Sequence, residues 1–300
     1  MSLSALYDLP APAKLNLFLH VVGRRPDGYH LLQSVFRLID WCDTLHVERR
    51  ADGQISREDL GPTLPADDLC TRAARLLQSA SGTTQGAHIA IDKQVPWGAG
   101  LGGGSSDAAT TLIALNRLWG LHWPRERLLA LGLQLGADVP FFLGGHNAWV
   151  EGIGEQLTPI DLPPASYVVL KPPVAVPTVA IFSSPLLTRD TARTTMAVFL
   201  AETKESWSCG FFGKNDLQAS AEAYSHQIVD GLKILRQNFG LSRMSGSGSA
   251  VFAPCPDIQQ DSSAASQNAL VQGLATPGSD WVTRRCAGLA FHPLLAWCAD

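Results

Sequence analysis

Ten consecutive residues, Gly98-Ala99-Gly100-Leu101-Gly102-Gly103-Gly104-Ser105-Ser106-Asp107, have the make-up of a loop that receives an anion. Glycine admits positive φ and lets a ligand approach the backbone closely. The hydroxyls and the acid open a helical pattern, whose first turn would offer free N–H groups and a positive dipole end. The stretch reads as a phosphate cradle, and three glycine patterns compete for it. Gly98-x-Gly100-x-x-Gly103 meets the dinucleotide spacing. Val95-Pro96-Trp97 before it is no buried strand, however, and Leu121-His122-Trp123 holds no acid for a ribose. A Walker loop counted from Gly98 needs lysine where Gly104 stands. A protein-kinase loop needs later H-R-D and D-F-G motifs, which the sequence lacks. A flexible linker is the bland alternative, but linkers seldom run straight into a patterned amphipathic helix.

With no lysine in the loop, catalytic charge must come from elsewhere, and Lys14 and Asp138 are the first pair to weigh. Asp138 follows a predicted helix end in Leu135-Gly136-Ala137-Asp138-Val139-Pro140, where the proline is expected to hold Val139 extended. A carboxylate there could take a proton from an attacking hydroxyl, and a lysine beside it would stabilise the developing alkoxide. Phosphoryl transfer asks little more than that, phosphate clamps and Mg²⁺. Spacing alone favours the simpler account, in which Lys14 is a solvated strand end and Asp138 a cap or turn. Tyr29-His30, after a Pro26-Asp27-Gly28 turn, offers a flat face and a donor–acceptor ring for a base, though ordinary half-buried packing explains it equally. Gly246 and Gly248 make a second flexible turn, for which a hairpin is the simpler account. Eight histidines without H-E-x-x-H spacing argue against zinc.

The elements that must position these residues follow from periodicity. Residues 13–22 alternate, with Leu15, Leu17, Leu19 and Val21 on one face and Lys14, Asn16, Phe18 and His20 on the other, a strand with a polar edge. Thr44–Arg49 and Ala87–Lys93 read as strands, with a helix over Asp67–Ser79 between them. A helix over Ala108–Trp119 follows the glycine loop, with Ser105, Ser106 or Asp107 able to cap it. Another starts at Pro124 and runs to about Leu135, and Gly144-Gly145 suggests a hairpin or a strand pair over 141–150. The proline-rich stretch Pro159–Pro177, holding one strand at Tyr167–Leu170, divides the chain into domains 1–160 and 161–300. Beyond it come a helix over Ala219–Phe239, a strand-turn-strand over Arg243–Ala253, a helix over Asp257–Gly273 and a strand over Trp281–Cys286. Without strict βαβ alternation the class is α+β, not a doubly wound sheet.

Composition bounds the function. Three hundred residues with 46% hydrophobic content and net charge −4 describe a soluble two-domain protein. A pI near 6.0 argues against a nucleic-acid or anionic-membrane surface. Six cysteines at 42, 70, 209, 255, 286 and 298, with no C-x-x-C pair, fit reduced thiols in the cytoplasm. Met1–Lys14 lacks the basic start and apolar run of a signal peptide, and no run of about 18 apolar residues could span a bilayer.

Taken in order, the motifs resemble those of the GHMP kinases (galactose, homoserine, mevalonate and phosphomevalonate kinases and relatives). Pro96-Trp97-Gly98-Ala99-Gly100-Leu101-Gly102-Gly103-Gly104-Ser105-Ser106 is similar to their nucleotide loop. Pro12-Ala13-Lys14-Leu15-Asn16-Leu17, Arg25–His30, Leu135–Pro140, Asn215-Asp216-Leu217 and Arg243-Met244-Ser245-Gly246-Ser247-Gly248 resemble the branch acting on a cytidylyl-linked methylerythritol. The resemblance implies a two-domain α+β GHMP kinase fold. Its N-terminal ATP-binding domain would be ribosomal-protein-S5-like and its C-terminal domain ferredoxin-like, with the active site in the cleft between them. It implies ATP-dependent phosphorylation of the substrate's 2-hydroxyl in the non-mevalonate isoprenoid pathway, by a cytoplasmic monomer or weak homodimer. The substrate would be a small molecule with a cytidine diphosphate moiety. Carried over, Asp138 is the general base and Lys14 its partner, with Asn16 beside them. Tyr29 and Phe182 sandwich the cytosine, and His30 reads its polar edge. Lys93 and Thr178 complete the substrate and phosphate contacts, residues 96–106 hold ATP through backbone N–H groups, and Ser105 or Ser106 lies near Mg²⁺. Trp97 and Ser249-Ala250 depart from the family pattern, and 189–214 has no clear counterpart.

Overall fold

The computed structural model describes residues 3–204, 212–255 and 280–298. Two β-sheets share a core, and helices cover the outer face of each. The first sheet grows from a long antiparallel pair, β1 (Ala5–Arg24) with β2 (His30–Arg50). β3 (Ile55–Asp59) runs parallel to β4 (Gly86–Asp92), which pairs with β2. β2 also carries a hairpin of β5 (Ala148–Glu151) and β6 (Gln156–Pro159). The second sheet holds β7 (Ser166–Lys171), β8 (Arg243–Met244), β9 (Val251–Cys255) and β10 (Val282–Ala287), all antiparallel, in the order β10-β7-β9-β8.

Strand periodicity distributes the apolar side chains among three cores. Phe36 and Leu38 of β2 face a core closed by α1 (Leu69–Ser81), α2 (Gly103–Leu118), α3 (Arg125–Gly132) and α4 (Val139–Gly144). Val35 and Ile39 turn the other way, into the core between the sheets, where they join Tyr167 and Val169 of β7 and Phe199 of α6 (Met196–Lys204). Val168 and Leu170 of β7 face a third core that includes Ile181 of α5 (Thr178–Phe182). It is closed by Leu217 and Ala221, at the start of and within α7 (Gln218–Tyr224), and by Ile228, Leu232 and Leu235 of α8 (His226–Phe239). Each fully buried Leu or Phe of these sets contributes about 2–3 kcal/mol.

The alternation expected in β1 is present, but neither face is wet: Ala11–Val21 are all buried, because the second sheet covers what one sheet alone would expose. The expected polar edge is therefore a buried polar face. The strand expected over Thr44–Arg49 is the end of a longer one that starts at His30 and runs to Arg50. The hairpin expected over 141–150 is absent; Val139–Gly144 is a helix, with Gly145 at its C-terminus in the left-handed region. Val139 is accordingly helical, not extended, since a proline in the first helical turn has no N–H to lose. The long helix expected over 219–239 is broken at Ser225, which is extended. The helix expected over Asp257–Gly273 lies outside the described residues. Residues 288–298 return to the first half. Leu289 N–H donates to Leu38 O and His292 N–H to Gly145 O, and Leu294 and Cys298 enter the first core.

Candidate active site

An open cleft of about 920 Å³ runs between the glycine loop, the start of β2, α5 and the turn after β8. It brings together Lys14, Asn16, Tyr29, His30, Asp138, Thr178 and Phe182, with Gly98, Gly100 and Gly102 along one wall.

Lys14 is 4% exposed on β1, its ammonium 3.6 Å from Asp138 Oδ2. Asp138 stands at the N-cap of α4, as a cap reading would have it, but its side chain, 32% exposed, makes no cap hydrogen bond, so its carboxylate keeps capacity for a ligand. A relay fixes the lysine: Nζ donates to Asn16 Oδ1 at 2.5 Å, Asn16 Nδ2 to Ser34 Oγ at 3.0 Å, and Ser34 Oγ to Phe18 O at 2.5 Å. The ammonium also sits 4.5 Å from the centre of the Phe36 ring, whose face favours a cation. A cation held this way beside a carboxylate can serve proton abstraction and stabilise developing negative charge.

Backbone contacts lock the glycine loop to that strand. Lys14 N–H donates to Leu101 O at 2.9 Å. Ser245 Oγ accepts from Asn16 N–H at 3.2 Å and donates to Gly100 O at 3.0 Å, while Ala250 N–H donates to Ala99 O at 3.0 Å. Gly100 has φ 74°, and a Cβ there would collide with Ser245 O. A Cβ on Gly102 would lie 2.9 Å from the Phe142 ring and 3.2 Å from Lys14 Cγ. Asn215 Nδ2 donates to Met244 O and Gly246 O, both at 2.8 Å, and Asp216 Oδ2 accepts from Val21 N–H at 2.7 Å. The Asn-Asp-Leu segment is thus a bracket that holds the second glycine turn on β1.

Helix α2 begins at Gly103, not Ala108, with Gly102 at its N-cap and no side-chain cap. Its first N–H groups, on Gly103, Gly104 and Ser105, have no intrahelical acceptor and are aligned for an anion. The serines and acid expected as caps do other things. Ser106 is wholly buried, while Ser105 is half-buried on the first turn and has access to solvent. Asp107 turns inward to Lys93. Lys93 Nζ pairs with Asp107 Oδ2 at 2.7 Å and with Asp43 Oδ2, all three side chains buried. Asp43 Oδ1 also accepts from the N–H groups of Gln94 and Val95. Burial works against the Lys93 charge, but the two carboxylates outweigh it and raise its pKa. Burial lifts Asp107 well above the usual carboxylate range, against the pull of Lys93. Lys93, expected at substrate or phosphate, is therefore a sealed support beneath the loop and does not line the cleft. Ala99 and Leu101 bury their side chains, so only their backbone can meet a ligand, and Trp97 stands 71% exposed.

At the far end, Arg24 Nε donates to Gly28 O and Tyr29 N–H to Asp27 Oδ1, fixing the turn that presents Tyr29, 61% exposed. Phe182 lines the same cleft as Tyr29 and stacks on His30, ring centres 5.1 Å apart and planes 27° apart. Burial, then Arg189 and Arg24, lower the His30 pKa. Thr178 Oγ1 and Ser247 Oγ lie 2.9 Å apart and close the cleft between α5 and the second glycine turn. Ser34 and Arg189 escaped the sequence reading, and Ser245 stood there only as a member of the second glycine motif, because their roles rest on partners far along the chain. Among the described residues no group of three acidic, histidine or cysteine side chains could hold a metal. The donor set instead suits Mg²⁺ carried by nucleotide phosphates, with one serine hydroxyl at hand.

Residues 68–146 match the family model described as GHMP kinases N terminal domain. The chain is 65% identical over 297 residues to the 4-diphosphocytidyl-2-C-methyl-D-erythritol kinase of Methylibium petroleiphilum, covering 99% of each chain. It is 55% identical to the enzyme of that name from Variovorax paradoxus, covering 98% of this chain and 99% of the relative. A crystal structure of 4-(cytidine 5'-diphospho)-2C-methyl-D-erythritol kinase superposes with a TM-score of 0.77 at 34% identity, covering 93% of this chain and 98% of that one.

Proposed function

The chain belongs to the 4-diphosphocytidyl-2-C-methyl-D-erythritol kinases, a branch of the GHMP kinases, and on that premise we propose that it phosphorylates the 2-hydroxyl of that substrate with ATP in the non-mevalonate isoprenoid pathway, with Asp138 as general base and Lys14 as its partner. The observation that carries this reading is the Lys14–Asp138 pair, 3.6 Å apart, between a phosphate-binding loop and an aromatic base platform in one cleft. Asp138 takes the proton from the 2-hydroxyl as its oxygen bonds to the γ-phosphorus. The bond from that phosphorus to the β,γ-bridging oxygen breaks, and ADP leaves. Lys14, held by Asn16, offsets the negative charge that builds on the attacking oxygen. The free N–H groups at the start of α2 hold the nucleotide phosphates. Mg²⁺, when bound with the nucleotide, neutralises phosphate charge, and Ser105, rather than the sealed Ser106, is the hydroxyl with access to it. Tyr29 and the stacked His30–Phe182 pair receive the cytosine, and Thr178 lines the path between the two ends.

No helix among the described residues is long and apolar enough to cross a membrane. The test is a coupled assay with the purified chain, offering the cytidylyl substrate, homoserine and mevalonate in parallel. ATP-dependent product from the first alone is expected, and turnover of either of the others in its place would overturn the substrate assignment.

A further inference from the structure

The stretch after residue 188, which the sequence alone could not place, runs beside the base platform. Arg189 Nε–H donates to His30 Nε2 at 3.2 Å. Its other nitrogens donate to Leu187 O at 3.0 Å, Phe182 O at 3.2 Å and Ser184 O at 2.9 Å. The next residues are tied to the two strands that carry Lys14 and His30. Thr191 N–H donates to Val21 O at 3.1 Å, and Thr194 exchanges two hydrogen bonds with the buried amide of Gln33. The guanidinium is thus fixed at both ends of its reach.

A guanidinium has five donors and no acceptor. Its hydrogen bond to His30 Nε2 therefore requires a lone pair on that nitrogen, and the single proton of the neutral ring must sit on Nδ1. We infer that Arg189 is a positioning residue which sets the tautomer of His30, so that a bound base meets a hydrogen-bond donor at Nδ1 and not an acceptor. The stack on Phe182 sets the plane of the ring, and Arg189 sets which of its nitrogens can give. Among the described residues Nδ1 has no protein acceptor, which leaves its N–H for a ligand. Arg24 on β1 and Arg189 both face the ring, and Asp27, the acid near that end of the cleft, is paired with Arg25 at 2.6 Å. Burial and the two arginines oppose protonation of the ring, in line with the lone pair that the Arg189 hydrogen bond requires on Nε2.

The inference rests on the cytidylyl reading and deepens it to base selection. Cytosine presents an unprotonated ring nitrogen, N3, beside a carbonyl, and both accept. Uracil carries a proton on N3 and would set donor against donor. A buried or half-buried polar group left without its partner is what gives hydrogen-bonding sites their large discrimination.

The test is the ¹⁵N–¹H correlation spectrum of the histidine rings in the full chain, free of ligand, at pH 7.5, with His30 identified by the signals lost in His30→Gln. Expected is a protonated Nδ1 and a lone-pair Nε2, giving way in Arg189→Met to a ring with its proton on Nε2. A wild-type ring protonated on Nε2 would overturn the inference without any variant, as would an unchanged tautomer in Arg189→Met. In the assay, Arg189→Met should raise KM for the cytidylyl substrate about 10- to 30-fold with kcat within about twofold. It should also shrink the preference over the uridylyl analogue by about tenfold or more. An undiminished preference would count against the assignment. The spectrum needs no substrate, so a wild-type enzyme that fails to phosphorylate the cytidylyl compound would sink the proposed function and leave the tautomer result standing.

Discussion

Two lysine–carboxylate clusters flank the glycine loop one residue apart. Lys14 Cγ lies 3.2 Å from where a Cβ on Gly102 would sit, and Lys93 Nζ 3.3 Å from where one on Gly103 would sit. Lys14 has a single long pairing, to a carboxylate one-third exposed. Lys93 has two close ones, both to buried carboxylates. The residue types are the same; the unused capacity differs. A lysine already engaged by buried acids on both sides can only support the backbone above it, whereas one held by an amide and facing an accessible acid can still act on a ligand. Sealed ion clusters are costly to break and open ones are chemically available.

That contrast can be broken most sharply at Asp138. Asp138→Asn should lower kcat by about 10³-fold or more while melting temperature and ATP affinity stay near wild type; a loss below about tenfold would place the base elsewhere. On the sealed side, Lys93→Met should leave two buried acids facing each other and lower unfolding free energy by about 3–5 kcal/mol, read by denaturant titration. If Lys93→Met instead abolished turnover in a fully stable protein, the two clusters would have to exchange roles. Next in size, Tyr29→Ala should raise KM for the cytidylyl substrate about tenfold with little change in kcat, as expected for loss of an aromatic face. The smallest effect is pH-dependent. A folded-state pKa above the unfolded value means the folded chain binds the proton more readily, so stability falls as pH rises through it. Asp107 is raised in this way, and Lys93 holds its charge throughout the window below the ordinary lysine range. Asp107→Asn should therefore lie closest to wild type at about pH 4, around the pKa of the unfolded carboxyl, and gain on it as pH rises from there. A gain on acidification would mean that Asp107 is ionised inside the cluster.

Much of this was legible in the chain. The glycine loop announces an anion, and the alternation over 13–22 puts Lys14 and Asn16 on one face, as they are. What stayed hidden depends on partners that local pattern cannot see. Lys93 meets Asp43 from fifty residues upstream and Asp107 from fourteen downstream, so its spacing resembled that of any strand-end lysine. Gly144-Gly145 looked like a hairpin turn because glycine pairs mark both hairpins and helix ends; the buried Phe141-Phe142-Leu143 run decided for the helix. Arg189 carried no signal at all, since its meaning lies in a ring nitrogen across the cleft.

The return of residues 288–298 to the first half bears on how the molecule is made. Arg125 reaches the carbonyls of Leu295 and Cys298, and Asn147 those of Leu289 and Ala290. During synthesis, the core behind the nucleotide loop stays unfinished until about a hundred and forty further residues have left the ribosome. A chain halted after the second sheet would carry every residue proposed for chemistry, yet its first core would lack Leu294 and Cys298. The residues of the cleft are therefore all present in the chain before the last residues of the core that backs them.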